Sequence, residues 1–199
     1  MKDVVTILFN DFETLDVFGP IEVLGRLPEQ FNPLFFSVTG GIITSSQNVP
    51  VLTRPLSELK STGYILLIPG GVGARDLVNN GEFIATLITL AGNAEFILTV
   101  CTGSIVLSRT GILDGRNATT NKRVFAWTKS ASGVHWIKKA RWVKDGTIYT
   151  SSGVSAGTDM ALGFVSDLLG HPVTKQVSVE IEYEWNEDPG YDTFADRYP

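Results

Sequence analysis

Two kinds of apolar segment alternate along the chain. Short β-branched or aromatic runs stand at Val4–Phe9, Leu34–Val38, Tyr64–Ile68 and Phe96–Val100, and again, shorter, at Trp136–Ile137, Trp142–Val143 and Ile148–Tyr149. Between them lie longer segments with helical spacing. Phe18–Leu27 carries Ile21, Leu24 and Leu27 on one face, and Glu82–Ala91 carries Phe83, Leu87 and Leu90; Ser155–Leu169 is the longest, and Val173–Tyr183 follows it. Near-continuous apolar strands alternating with helices predict an α/β fold, a mostly parallel sheet covered on both faces. Gly40-Gly41 and Lys144-Asp145-Gly146-Thr147 read as hairpin turns, so some antiparallel strands are expected beside the parallel ones. The polar, aromatic tail WNEDPGYDTFADRYP has little to bury on its own and reads as disordered or as lying across a partner subunit.

Composition narrows the setting. A chain of 199 residues with 43% hydrophobic content suits one compact domain, assigned to residues 1–185, with residues 186–199 as a C-terminal tail. The net charge of -5 disfavours non-specific binding to nucleic acid or an anionic membrane. The nearest basic run, Lys138, Lys139, Arg141 and Lys144, is interrupted by apolar Ala140, Trp142 and Val143 and reads as a solvated strand edge. No apolar segment approaches a bilayer-spanning length. The first one is too short for a signal peptide, and no small-residue cleavage site follows it. The single cysteine cannot form an internal disulfide, which points to a reducing compartment. The expectation is a soluble cytoplasmic protein with no nucleic-acid or membrane partner.

In an open α/β sheet, ligands bind beyond the carboxyl ends of the strands. Four segments follow strands here: Asn10–Asp16 leading to Gly19-Pro20, Pro69-Gly70-Gly71-Val72-Gly73, Cys101-Thr102-Gly103-Ser104, and Ser151–Gly157. Cys101 sits where a strand turns sharply into a helix. Such an elbow exposes its central side chain above the sheet, and a helix N-terminus favours a thiolate. Cys101 equally fits a small buried apolar residue. Gly70 and Gly71 let the backbone approach a ligand with N–H groups turned toward it, as an oxyanion hole requires, though Gly-Gly after a strand is also a plain turn. Asp16 reads either as a general acid/base or as a helix cap before Pro20. Asp11 and Glu13 lie in a more polar stretch and read as solvated. His135 and His171 follow no core strand, so neither is a good triad base, and a metal site is not expected.

The ordered series LDVFGPIEVL, LIPGGVG, TVCTGS, LDGRNATT and SSGVSAGTDMAL resembles the ThiJ/PfpI superfamily, whose fold is like class I glutamine amidotransferases. The resemblance spans nearly the whole chain and is strongest to the isonitrile hydratase branch; IEYEWNEDPGYD is similar to that branch's C-terminal segment. It implies a flavodoxin-like three-layer sandwich with a nucleophile elbow, a homodimer, a small-molecule substrate and no cofactor. It implies Cys101 as nucleophile, Asp16 as its acidic partner, Thr102 with its backbone N–H and hydroxyl toward the site, and Gly70 and Gly71 as backbone donors to substrate. The peptidase-like and deglycase-like branches often carry histidine after the cysteine and a glutamate near the N-terminus. Thr102 and Asp16 stand in those places, which counts against both activities. After ATT, related hydratases often have histidine and an aromatic residue, where this chain has Asn121-Lys122-Arg123. The same elbow would serve a cysteine-based oxidative-stress sensor, and the same core a non-enzymatic ligand-binding domain.

Overall fold

The computed structural model describes residues 1–198. In chain order the elements are β1 (Lys2–Ile7), α1 (Thr14–Gly25), β2 (Phe31–Ser37), β3 (Thr39–Thr44), β4 (Pro50–Pro55), β5 (Tyr64–Ile68), α2 (Ala74–Leu77), α3 (Gly81–Gly92), β6 (Ala94–Thr99), α4 (Gly103–Ser108), β7 (Asn117–Ala118), a 3₁₀ segment (Lys122–Ser130), β8 (His135–Trp136), β9 (Trp142–Asp145), β10 (Ile148–Ser151), α5 (Ala156–Leu169) and α6 (His171–Glu180).

Eight strands form one sheet in the order β3-β4-β2-β1-β5-β6-β10-β9. The six central strands run parallel, and β3 and β9 pair antiparallel at the two edges. The side-chain period of two sends alternate residues to opposite layers. Val5, Ile7, Leu66, Ile68 and Ile97 join α3 and α4 in one core, while Val4, Ile65, Leu67 and Leu98 join α1 and α5 in the other. Every residue of β5 is buried, which explains why its sequence, YILLI, shows no polar alternation. The result is the three-layer α/β sandwich expected from the alternating pattern.

Several local expectations are corrected. Gly40 and Gly41 are not the hairpin turn. They lie inside β3 with φ of 73° and 86°, and the chain reverses at Ser45–Val49, where Ser45 N–H donates to Val49 O at 3.0 Å. The Lys144–Thr147 turn does connect two antiparallel strands, β9 and β10. Trp136 belongs to β8, which pairs with β7 in a separate two-stranded ladder instead of the main sheet. Helix α1 starts at Thr14, four residues before the apolar period suggests, and continues through Pro20. Pro20 has no N–H for the Asp16 carbonyl, so the helix gives up one bond there.

The tail is neither disordered nor free of its own chain, with Pro199 lying outside the described residues. Arg141 N–H donates to Pro189 O at 2.8 Å and Asp192 N–H to Lys139 O at 2.7 Å. Asp192 and Ala195 are buried. Asp192 Oδ1 lies 3.6 Å from Arg141 Nη1, and Arg141 Nε donates to Asp159 Oδ2 at 2.6 Å. A short polar segment is thus held by ion pairs and backbone bonds, which a reading by apolar periodicity does not detect. Among the described residues, no helix is long and apolar enough to cross a membrane.

Candidate active site at the strand-to-helix elbow

The segment after β6 makes the turn its sequence predicts. Cys101 takes φ 57°, a left-handed conformation that costs a residue bearing a Cβ about 1–2 kcal/mol. Its surroundings over-determine that shape. Cys101 N–H donates to Ser152 O at 3.2 Å. The Cys101 carbonyl accepts from Thr120 Oγ1 at 2.8 Å and Ser104 Oγ at 3.1 Å. Gly103 is required because a Cβ there would collide with the backbone carbonyl of Ile68 on the adjacent strand.

Cys101 is 5% exposed and lines a cleft of about 1290 Å³. Asn121 Nδ2 donates to Cys101 Sγ at 3.1 Å, and the Thr102 N–H beside the sulfur also favours its charged form. Gly153 faces the same atom; a Cβ on it would lie 2.9 Å from Sγ and overlap Asn121 Nδ2. The chain therefore leaves one side of the sulfur open by keeping glycine there.

Folding brings Asp16, 85 positions earlier, to the back of this site. It is fully buried in the first turn of α1 and is not a helix cap; Glu13 occupies the cap position. Asp16 Oδ2 accepts the Gly70 N–H at 2.9 Å, and Oδ1 has no well-formed hydrogen bond among the described residues. Its neighbour is the thiol. Burial, and then the nearby Glu13, push the Asp16 carboxyl well above its usual range, with the Gly70 and Cys101 hydrogen bonds pulling only partly back. Burial, and next the Asp16 charge, likewise push the Cys101 thiol well up. The expectation of a thiolate from the helix N-terminus thus meets a larger opposing effect. A helix terminus contributes about 0.3–1 kcal/mol, whereas burial of an ionisable group shifts its pKa by up to 3–5 units, each about 1.4 kcal/mol. Both acids of this buried pair are thus pushed toward their protonated forms.

Gly70 and Gly71 are placed beside the elbow, but both N–H groups are already engaged. Gly70 holds Asp16, and Gly71 N–H donates to Thr102 Oγ1 at 3.1 Å. Gly71 has φ 136°, and a Cβ there would strike the backbone of Asp11 and Glu13. The two glycines position the acid and Thr102, and the Thr102 hydroxyl is turned to Gly71. Asn121 is the donor to sulfur that the sequence did not single out, although it stands where the NKR segment departs from related hydratases. Lys122 is buried, with Nζ donating to Thr119 Oγ1 and Ala140 O at 2.6 Å each; burial lowers its pKa to about 8. Glu13, expected to be solvated, lines the cleft. His135 and His171 are exposed and outside it. No three His, Cys, Asp or Glu side chains among the described residues are grouped to hold a metal ion.

The sequence model of the DJ-1/PfpI family matches residues 2–167. Isonitrile hydratase from Pseudomonas putida is 29% identical over 178 residues, covering 89% of this chain and 76% of that protein. The HTH-type transcriptional regulator CdhR from Pseudomonas aeruginosa is 25% identical over 183 residues, covering 89% of this chain and 54% of the regulator. Among solved structures, a ThiJ/PfpI family protein from Pseudomonas syringae has a TM-score of 0.83 at 23% identity, over 96% of this chain and 78% of that one.

Proposed function

The chain belongs to the DJ-1/PfpI family, and from that premise we propose that it is a cysteine-dependent hydratase of the isonitrile hydratase type, converting an isonitrile into an N-substituted formamide. One observation carries the reading: a thiol on a strained elbow opens into a cleft and backs onto the buried carboxyl group of Asp16, which has an unpartnered oxygen. The similarity to the Pseudomonas putida isonitrile hydratase supports the choice of substrate class.

An isonitrile, R–N≡C, needs a proton on its terminal carbon as a nucleophile attacks that carbon. The Cys101 thiol supplies both. Asp16 takes the thiol proton while sulfur bonds to carbon, and the proton passes to that carbon, giving the thioimidate R–N=CH–S–Cys101. Water then adds across the C=N bond, its hydroxyl to carbon and its proton to nitrogen. Cleavage of the C–S bond, with a proton returned to sulfur through Asp16, releases R–NH–CHO and restores the thiol. This is nucleophilic catalysis divided into two steps. Asn121 Nδ2 and the Thr102 N–H stabilise negative charge on sulfur as the proton leaves. The scheme needs no metal or organic cofactor, and we assign its working form as a homodimer.

The test is a panel of simple isonitriles assayed for formamide with wild type and Cys101→Ala. Formamide from wild type alone, with a thioimidate adduct at Cys101 seen by mass spectrometry, is the expected result. A panel on which wild type matches Cys101→Ala removes the hydratase. The similarity to a transcriptional regulator favours a second reading, a ligand-binding domain, which expects ligand affinity unchanged in Cys101→Ser. The same elbow would serve a redox sensor, and stoichiometric sulfinate at Cys101 under mild peroxide, with no formamide from any isonitrile, would favour that reading.

A further inference from the structure

The charges around the cleft run against those of the whole protein. The chain carries -5 overall, yet among the described residues the cleft is lined by Arg75, Arg109, Lys122 and Arg123 against a single carboxylate, Glu13. These cations come from three separate places: Arg75 from α2, Arg109 from just beyond α4, and Lys122 and Arg123 from the start of the 3₁₀ segment. Their hydrogen bonds divide them. Lys122 is spent inside the wall on Thr119, Thr120 and Ala140, and Arg109 Nε is tied to Val78 O at 3.2 Å. Arg75 and Arg123 are exposed and form no salt bridge among the described residues.

The backbone at Arg123 is tied to the reacting sulfur through Asn121. The Arg123 backbone N–H donates to Asn121 Oδ1 at 2.9 Å, and the other end of that amide donates to Cys101 Sγ at 3.1 Å, so the guanidinium is carried on a segment anchored beside the thiol. Apolar side chains, Val72, Val124, Trp127 and Phe194, supply other parts of the wall. A cleft with apolar walls and unpaired guanidinium groups suits a molecule with an apolar body and a negatively charged end.

We propose that the substrate bears a carboxylate, held by Arg123 and Arg75, while its reactive carbon meets Cys101. Resting on the hydratase reading, this names the substrate class as an isonitrile carrying a carboxylate. Arg123 and Arg75 are then the residues that set specificity.

Two measurements test the proposal. The first compares kcat/KM for isocyanoacetate with that for its methyl ester. Wild type is expected to prefer the anion by roughly tenfold, and Arg123→Gln and Arg75→Gln each to cut that preference by about three- to tenfold, the range of one partly screened ion pair. Equal rates on acid and ester in wild type overturn the proposal. The second needs no turnover: alkylation of Cys101 by iodoacetate and by iodoacetamide, each rate divided by that of N-acetylcysteine. The normalised ratio is expected to favour iodoacetate, and to fall with added salt and in both variants. A ratio at or below one that neither variant changes overturns the anion site. If no isonitrile is turned over, the hydratase reading fails alone and the alkylation ratio still decides this one.

Discussion

Asp16 and Asp159 both lie entirely out of water, yet the chain treats them in opposite ways. Asp159 is saturated. Its Oδ2 accepts from Arg141 Nε at 2.6 Å and its Oδ1 from Asn186 N–H at 2.9 Å. Arg141 also faces Asp192, whose Oδ1 accepts the Phe194 N–H at 3.0 Å. Burial pushes the Asp159 carboxyl up and Arg141 pulls it partly back, while burial alone would lower Arg141 and its two carboxylates hold it protonated. The two directions conflict over the pair, and the short charge-assisted bond decides for an ionised one. Asp16 receives one backbone N–H, and its close ionisable neighbour is another acid, Cys101. A buried carboxylate given a cation fastens the chain; one denied a cation is left ready to accept a proton.

One substitution applied to both sites tests that contrast. Asp16→Asn is expected to lower isonitrile turnover on the order of 10²–10⁴-fold, the usual contribution of general acid–base help. The same variant should raise the rate of Cys101 alkylation by iodoacetamide near pH 8, because the Asp16 charge that holds the thiol up is gone. Turnover near the wild-type level, or slower alkylation, would remove the carboxylate from the scheme.

On stability the two variants should diverge in sign. Asp159→Asn leaves Arg141 short of its main partner and is expected to cost about 3 kcal/mol in denaturant unfolding. Asp16→Asn should stabilise at neutral pH. The folded-state pKa of Asp16 is raised, so ionising it opposes folding. That penalty is absent below the unfolded value, near 3.8, and grows as pH rises toward and through the folded one. Stability of wild type relative to Asp16→Asn should therefore fall as pH rises from 4, measured by urea midpoints; a rise would reverse the assignment.

Asn121→Ala removes a hydrogen bond that lowers the thiol pKa, so Cys101 alkylation should slow several-fold, with stability changed by about 1 kcal/mol. The smallest effect belongs to the exposed pair of Lys144 and Asp167, at 2.9 Å: Lys144→Ala should cost under about 1 kcal/mol. A loss there as large as that of Asp159→Asn would dissolve the distinction between buried and surface pairing.

The sequence announces some of this more clearly than the rest. The elbow is legible because its signals are contiguous: an apolar strand, Cys101, and the small residue the turn needs at Gly103. The parallel sheet is legible because strands buried on both faces read as unbroken apolar runs. Asp16 is legible locally only as one of two readings, acid/base or helix cap, and the resemblance favours the first; its partner Gly70 lies 54 positions away. Asn121 and Lys122 are polar residues in a polar stretch, and nothing local tells that Thr120 ties that stretch to the Cys101 carbonyl. The protonation of the thiol is equally hidden. It depends on burial, a property of the assembled layers, and overrides the helix terminus that the local sequence offers.

Phe194 and Tyr198 line the same cleft as Cys101, from more than ninety positions downstream. A ribosome therefore delivers the reactive cysteine long before the wall that narrows its approach. Until Phe194 and Tyr198 are in place, the cleft lacks the part of its wall that they supply.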